Sequence, residues 1–365
     1  MEGGKENKKD YFEPNDYNYS KLESSNDNTE SRWANAITPD GSYWVWIPRF
    51  AYNVTYYTDA SKETISQVET EYRDFDVIFL NETSNVYLNG YDELKPLPQG
   101  YQVASAFTGN TEDGGWSEEL TGFWVSKYEI SAQESEDSLV WTATNNILGG
   151  GDQLSTNAGN VDDNIRPVAR PNVPTWRGIS VGKAYTNIYN MYRNLNSHLV
   201  KNSEWEATFI LAESEYGRNG NFMEIDTNVN AGGAYSTSTT GNETGVFDLL
   251  GGVWEYTATY IPSTNNEALD GTNNNILEEY ASYLVNSSDN ASKEQITTTD
   301  LSNMILSDIE QAVFENAMLE TPYETSLIVY RGGYINSANM DAESIPVAGS
   351  NDIRIGYRAA LTCTK

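Results

Sequence analysis

Few residues in this chain are able to do chemistry, and their spacing narrows them further. Gly178-Ile179-Ser180-Val181-Gly182 has the Gly-x-Ser-x-Gly form of serine hydrolases. That pattern needs a strand, a sharp turn and a helix, then a downstream acid and a histidine. The chain's one histidine, His198, follows too closely, and no acid lies between it and Ser180. Ser180 therefore reads as a helix N-cap, and His198 as a structural hydrogen-bonding residue near the start of a helix. The single cysteine, Cys363, excludes an intramolecular disulfide, and no Cys-rich zinc site or multi-histidine iron or zinc centre can be assembled. Asp226-Thr227-Asn228-Val229-Asn230 sets three hard oxygen side chains, Asp226, Asn228 and Asn230, at alternate positions, the ligand type calcium prefers. The glycine placement and closing glutamate of an EF-hand loop are missing, so two readings stand: calcium ligands, or a polar Asn-rich turn.

The elements that must position such groups are bounded by composition. The chain has 365 residues, with 22 basic against 53 acidic side chains and a net charge of −31. A surface of that sign repels phosphate backbones and anionic lipid, which argues against nucleic-acid and membrane-surface partners. With 25 Tyr and 9 Trp the chain is too aromatic to be disordered. No run of about 18 apolar residues could span a bilayer. The first residues, Met1 to Lys5, lack the apolar core of a secretory signal, so the protein stays where it is made, leaves by lysis, or begins here after a removed leader.

Residues 1–38 are polar and read as a flexible acidic N-terminal arm or linker. Folded sequence begins with the aromatic run Ser42 to Phe50, in which Pro48 places the strand near a sheet edge. Strands are also expected over Asp76–Leu80, over Thr121–Ile130 with two dissimilar faces, over Leu327–Tyr330 and over Ile353–Leu361. Helical spacing of Val181, Ala184, Ile188 and Met191 or Tyr192 predicts a helix from about Ser180 to Leu195. Ser203-Glu204-Trp205-Glu206 predicts a capping box that opens a second helix, stopped at Gly217. Asp300 can cap a third, carrying Leu301, Met304, Ile305 and Ile309 on one face. Short strands, two principal helices and long irregular connections make this an α+β fold with high loop content. Residues 39–365 read as one domain with an inserted segment at about 263–326.

The order of segments resembles the formylglycine-generating-enzyme family, a variant of the C-type lectin fold. Five runs carry the likeness: Lys127-Tyr128-Glu129-Ile130-Ser131; His198 through Glu206; Gly245 through Tyr256; Arg331-Gly332-Gly333-Tyr334; and Gly356-Tyr357-Arg358. Val173-Pro174-Thr175-Trp176 echoes a further segment, and Trp44-Val45-Trp46-Ile47-Pro48-Arg49 looks like the opening of lectin-like proteins of gut Firmicutes and their phages. The resemblance implies a C-type lectin-like, formylglycine-generating-enzyme-like domain. It does not carry the activity over. The enzymes need two cysteines shortly after Arg-Gly-Gly to hold copper, and Tyr334 through Ala342 contain none. The sulfoxide-forming branch needs three histidines. Family members also hold structural calcium, partly through an Asn that is replaced here by Gly252.

The resemblance places Trp124, Trp205, Trp254 and Tyr256 in the core rather than on a sugar-stacking surface, and makes Arg331, Arg354 and Arg358 structural partners of buried acids such as Glu206 or Glu255. It directs attention to the irregular C-terminal segment, where lectin-like scaffolds display recognition residues and where some members are varied by a diversity-generating retroelement. Tyr334, Asn336, Ser337, Asn339, Asp341, Asn351 and Asp352 have the composition of a binding loop: aromatic area at small entropy cost, with adaptable hydrogen bonding. The expectation is a non-catalytic recognition or adhesion module, extracellular, cell-surface or virion-associated, that binds a host or neighbouring-cell protein or glycan. The alternatives are a structural or decoration protein of a phage particle or surface filament, packed against its own copies or other subunits, and an oxidase or other enzyme; for the C-terminal segment itself the alternative is an ordinary surface loop with no ligand. Calcium is the one cofactor considered.

Overall fold

The computed structural model describes residues 32–67, 72–89, 93–110, 114–135, 138–139, 166–171, 175–176, 181–218, 238–250, 252–261, 282–283, 327–332, 344–345 and 355–362. The first strands are β1 (Asn35–Ile37), β2 (Tyr43–Pro48), β3 (Phe50–Tyr56), β4 (Arg73–Phe79), β5 (Val86–Asn89), β6 (Glu93–Pro96) and β7 (Gln102–Val103). There follow β8 (Gly122–Ser126), β9 (Ser131–Ser135), β10 (Ser138–Leu139) and β11 (Arg166–Val168), then helix α1 (Val181–Met191), β12 (Ser197–Leu199) and helix α2 (Asn202–Glu213). The last strands are β13 (Trp254–Ile261), β14 (Ser282–Tyr283), β15 (Leu327–Arg331), β16 (Ser344–Ile345), β17 (Ile355–Tyr357) and β18 (Ala359–Leu361). The fold is sheet-rich, with few helices.

A five-stranded sheet in the order β1-β2-β8-β18-β12 lies at the centre. Alternation sets its faces: Val45, Ile47, Phe123 and Val125 are fully buried, while Trp46 and Trp124 pack against each other at 5.2 Å on the other side. Pro48 ends β2 opposite Gly122, beyond the residues that pair with β1. Its missing N–H therefore removes nothing from the β1 ladder. A second sheet, β14-β13-β15-β16 with β17 also on β13, and a third, β4-β3-β7, complete the frame around one contiguous core.

Helix α1 buries Ala184 and Ile188, as the spacing predicts. It stops at Met191 rather than continuing to Leu195, because the Ser197 hydroxyl accepts the Tyr192 N–H and donates to the Ile188 carbonyl. A short 3-10 turn, Arg193–Leu195, and a left-handed Asn196 then lead into β12. Every residue of α2 is buried, so it is a central helix with no solvent face.

Three expectations need correction. The arm drawn over 1–38 ends earlier: Trp33 is fully buried, bonded through its backbone N–H to the Thr244 hydroxyl, and β1 pairs with β2. The strand drawn over Ile353–Leu361 is two strands in two sheets, broken at Arg358, whose side chain turns into the core. The capping residues of α2 are shifted: Glu204, not Glu206, accepts the N–H of Lys201, at 2.9 Å. The Ser203 hydroxyl donates to the Gly114 carbonyl instead of closing the box. The third helix proposed from Asp300 and the Gly-x-Ser-x-Gly segment through Ser180 lie outside the described residues.

Candidate functional site

The candidate recognition residues, Tyr334, Asn336, Ser337, Asn339, Asp341, Asn351 and Asp352, all lie outside the described residues. The frame that holds both ends of their segment is described. Strand β15 runs antiparallel to β13, with Glu255 opposite Arg331. Strand β17 runs parallel to β13 on its other side, with Glu255 opposite Gly356. The chain therefore leaves at Gly332 and returns at Ile355 at the same end of β13, two strand spacings or about 10 Å apart. Strand β16 pairs with β15 through Val329 opposite Ser344 and Ile328 opposite Ile345, which ties the middle of the segment to the same sheet.

Buried ion pairs lock both anchors. The Arg331 Nε donates to Asn202 Oδ1 at 2.6 Å and a terminal nitrogen donates to Glu206, while the guanidinium lies 5.2 Å from the Trp205 ring. Arg358 donates to Glu255 Oε1 at 2.8 Å and to the carbonyls of Ser126 and Phe247. The other Glu255 oxygen accepts the Trp205 indole N–H at 3.2 Å. Trp205 thus stacks on one arginine and bonds the partner of the other, joining the two anchors into one network. Burial raises the affinity of Glu206 and Glu255 for protons, and the arginine beside each pulls it back. These pairings are the ones expected for Arg331 and Arg358; Arg354 lies outside the described residues. Trp205, Trp254 and Tyr256 are core residues and Trp124 is partly buried against the core.

Gly332 is needed at the exit. Its φ of +98° is a left-handed conformation, and a Cβ there would lie 2.9 Å from the Leu249 carbonyl oxygen.

His198 is fully buried, with Nδ1 on the Asn196 carbonyl at 2.7 Å and Nε2 on the Glu204 carboxylate at 2.9 Å. Both ring nitrogens face protein oxygens, and neither reaches solvent. Next to this pair, the Lys201 ammonium lies 3.7 Å from the Trp116 ring centroid and donates to the Gly115 carbonyl. Burial lowers that lysine to about 8, against the pull of Glu204. The group holds the 114–116 turn to the start of α2. Nothing in its sequence marked Lys201 as buried; only its neighbour Trp116 hints at a ring to cover it.

Sequence reasoning also missed Glu129. Its Oε1 accepts the Val253 N–H at 3.0 Å and its Oε2 the Thr175 hydroxyl. Burial, then the nearby Asp248 and Glu255 carboxylates, raise it well above the usual carboxyl range. Gly252, at the position where the resembled family has Asn, has φ +68°, and a Cβ there would lie 2.5 Å from Glu129 Oε1. A side chain at this place would displace the Glu129 carboxylate from its bond to the Val253 N–H. The proposed calcium ligands Asp226, Asn228 and Asn230 lie outside the described residues. Among the described residues, no group of three or more His, Cys, Asp or Glu side chains is arranged to hold a metal ion, and no helix is long and apolar enough to cross a membrane. No sequence pattern of a known protein family matches the chain, and no curated protein matches it, so the reading of the site rests on its own residues.

Proposed function

We propose that this chain is a non-catalytic recognition module on a C-type lectin-like, formylglycine-generating-enzyme-like scaffold, binding a cell-surface protein or glycan through the 334–352 segment. One observation carries the reading. Both ends of that segment are fixed at one end of β13 by buried arginines hydrogen-bonded to buried side chains, the arrangement of a rigid frame that displays loops. The absence of reactive chemistry is argued from counts: one Cys and one His in 365 residues cannot rebuild the copper or iron centre of the resembled enzymes. Display outside the cell or on a virion follows from this reading, and calcium stays a candidate only at Asp226, Asn228 and Asn230.

The test replaces residues 334–341 with Gly and Ser at equal length in the full chain. Wild type and variant are then compared on arrays of glycans and of surface proteins. Binding by wild type and its loss in the variant, at unchanged melting temperature, is the expected result. Binding that survives the replacement, or turnover with stoichiometric bound copper or iron, would overturn the proposal.

A further inference from the structure

A second surface stands apart from the C-terminal segment. Between β4 and the β5–β6 hairpin lies a cavity of about 430 Å³, lined by residues 77–81 together with Tyr87, Leu88 and Tyr216. Successive residues of a strand point to opposite faces, yet residues 77 through 81 all line this space, and so do both Tyr87 and Leu88. The cavity therefore runs along the backbone edges of β4 and β5 rather than over a face of either.

Register shows which backbone groups meet it. In β5, Val86 stands opposite Pro96, which has no N–H, and the Leu97 N–H bonds the Asn85 carbonyl. Alternation then makes Tyr87 and Lys95 a hydrogen-bonded pair and turns the N–H and C=O of Val86 and Leu88 away from β6. The Val86 carbonyl bears this out, because it accepts the Asn81 N–H across the turn that joins β4 to β5. In β4, the Leu80 N–H bonds the Arg49 carbonyl, and beyond the strand's other end the Tyr57 N–H bonds the Tyr72 carbonyl. Asp76 and Ile78 therefore bond β3, while the N–H and C=O of Val77 point away from it. Pairing between β4 and β5 stops at Asn81 and Val86: the next pair of that ladder, Phe79 with Leu88, is not formed. Among the described residues β4 pairs with β3 alone and β5 with β6 alone.

Two strand edges turned toward one cavity match a ligand with donors and acceptors on both of its sides at strand spacing, which is an extended polypeptide. The side chains add the rest of the description. The Phe79 and Tyr216 rings meet at 4.6 Å in the cavity wall, which suits apolar side chains from every second residue of such a strand. We propose that this cleft takes an extended segment of a partner protein as an added strand, bonded to the backbone of Val77 on one side and of Leu88 on the other. Its alternate side chains are apolar and cover Phe79 and Tyr216. The site needs no part of the 334–352 segment.

The test is selection of a random peptide-display library on the full chain, followed by titration of the enriched peptides as synthetic compounds. Enriched peptides should carry apolar residues at alternate positions. N-methylation of single residues within that stretch should weaken binding about tenfold each, the loss of one backbone hydrogen bond. Leu88→Pro removes the N–H that faces the cleft and no bond of the β5–β6 ladder. It should weaken binding about tenfold at unchanged melting temperature, whereas Leu88→Ala keeps that N–H and should bind closer to wild type. If Leu88→Pro fails to fold by circular dichroism, the N-methylation series on the wild-type chain decides. No enrichment, indifference to N-methylation, or equal losses in Leu88→Ala and a folded Leu88→Pro would overturn the proposal. Self-association of the unliganded chain in sedimentation velocity, abolished by Leu88→Pro, would assign the edge to a second copy and overturn it equally.

Discussion

Arg358 shows how much a single side chain can hold. It is fully buried, pairs with Glu255, and supplies donors to two carbonyls from different segments. Removing one partner of such a pair strands the other charge in the core. Arg358→Met should therefore cost about 4 kcal/mol in urea unfolding. Adding Glu255→Gln to that variant should return at least about 1 kcal/mol, since the stranded charge is then gone. Glu213 gives a pH signature. It ends α2, its Oε1 has no hydrogen-bond partner among the described residues, and burial raises it from 4.5 to about 7, against the pull of Arg218, Arg73 and Lys62. A carboxyl raised in the folded state favours folding at low pH. Its contribution is present below about 4.5 and is lost as pH rises through about 7, at about 3 kcal/mol in all. Glu213→Gln should accordingly be more stable than wild type at pH 8 and show little advantage at pH 4. An equal difference at both values would refute the assignment.

At the scale of elements, α2 is the piece whose environment governs its behaviour. All of its residues are buried, with Phe209 stacked on Trp205 at 5.5 Å and meeting Phe75 edge-on. Hydrogen exchange should find its amides among the slowest in the protein, and Phe209→Ala should cost about 3–5 kcal/mol. The helix was legible in the sequence because Trp205, Phe209 and Ile210 repeat at helical spacing. Its capping was only half legible. Ser203-Glu204-Trp205-Glu206 offers two carboxylates, and local pattern favours Glu206. That residue is claimed instead by Arg331, 125 positions away, a competition no local pattern contains. The same reason explains the 353–361 run, which alternates like one strand until Arg358 turns inward to Glu255. The pairing of Arg331 and Arg358 with buried acids was readable because the runs that hold them occur in recognisable order. The burial of Trp33 was not: a lone tryptophan amid polar residues gives no period to read.

For the whole molecule, 53 acidic side chains against 22 basic ones make self-repulsion a global term. Raising the salt from about 0.01 M to about 0.15 M shortens the screening length from about 30 Å to about 8 Å. The melting temperature should rise by about 2–4 °C, the response to roughly 1 kcal/mol in a large domain. A fall with salt would mean that favourable ion pairs outweigh the repulsion. The buried pairs at Arg331 and Arg358 are shielded from solvent ions and should not contribute to this response.

Strand β18 fills the gap between β8 and β12 in the central sheet. An interior position of the sheet is thus occupied by residues 359–361, while its neighbours come from residues 122–126 and 197–199. During synthesis those neighbours emerge with an empty slot between them, exposing unpaired N–H and C=O groups that invite wrong pairings. The nascent chain cannot close its core until residue 361 has cleared the ribosome, and a polypeptide stalled before that point would be a natural client for chaperones.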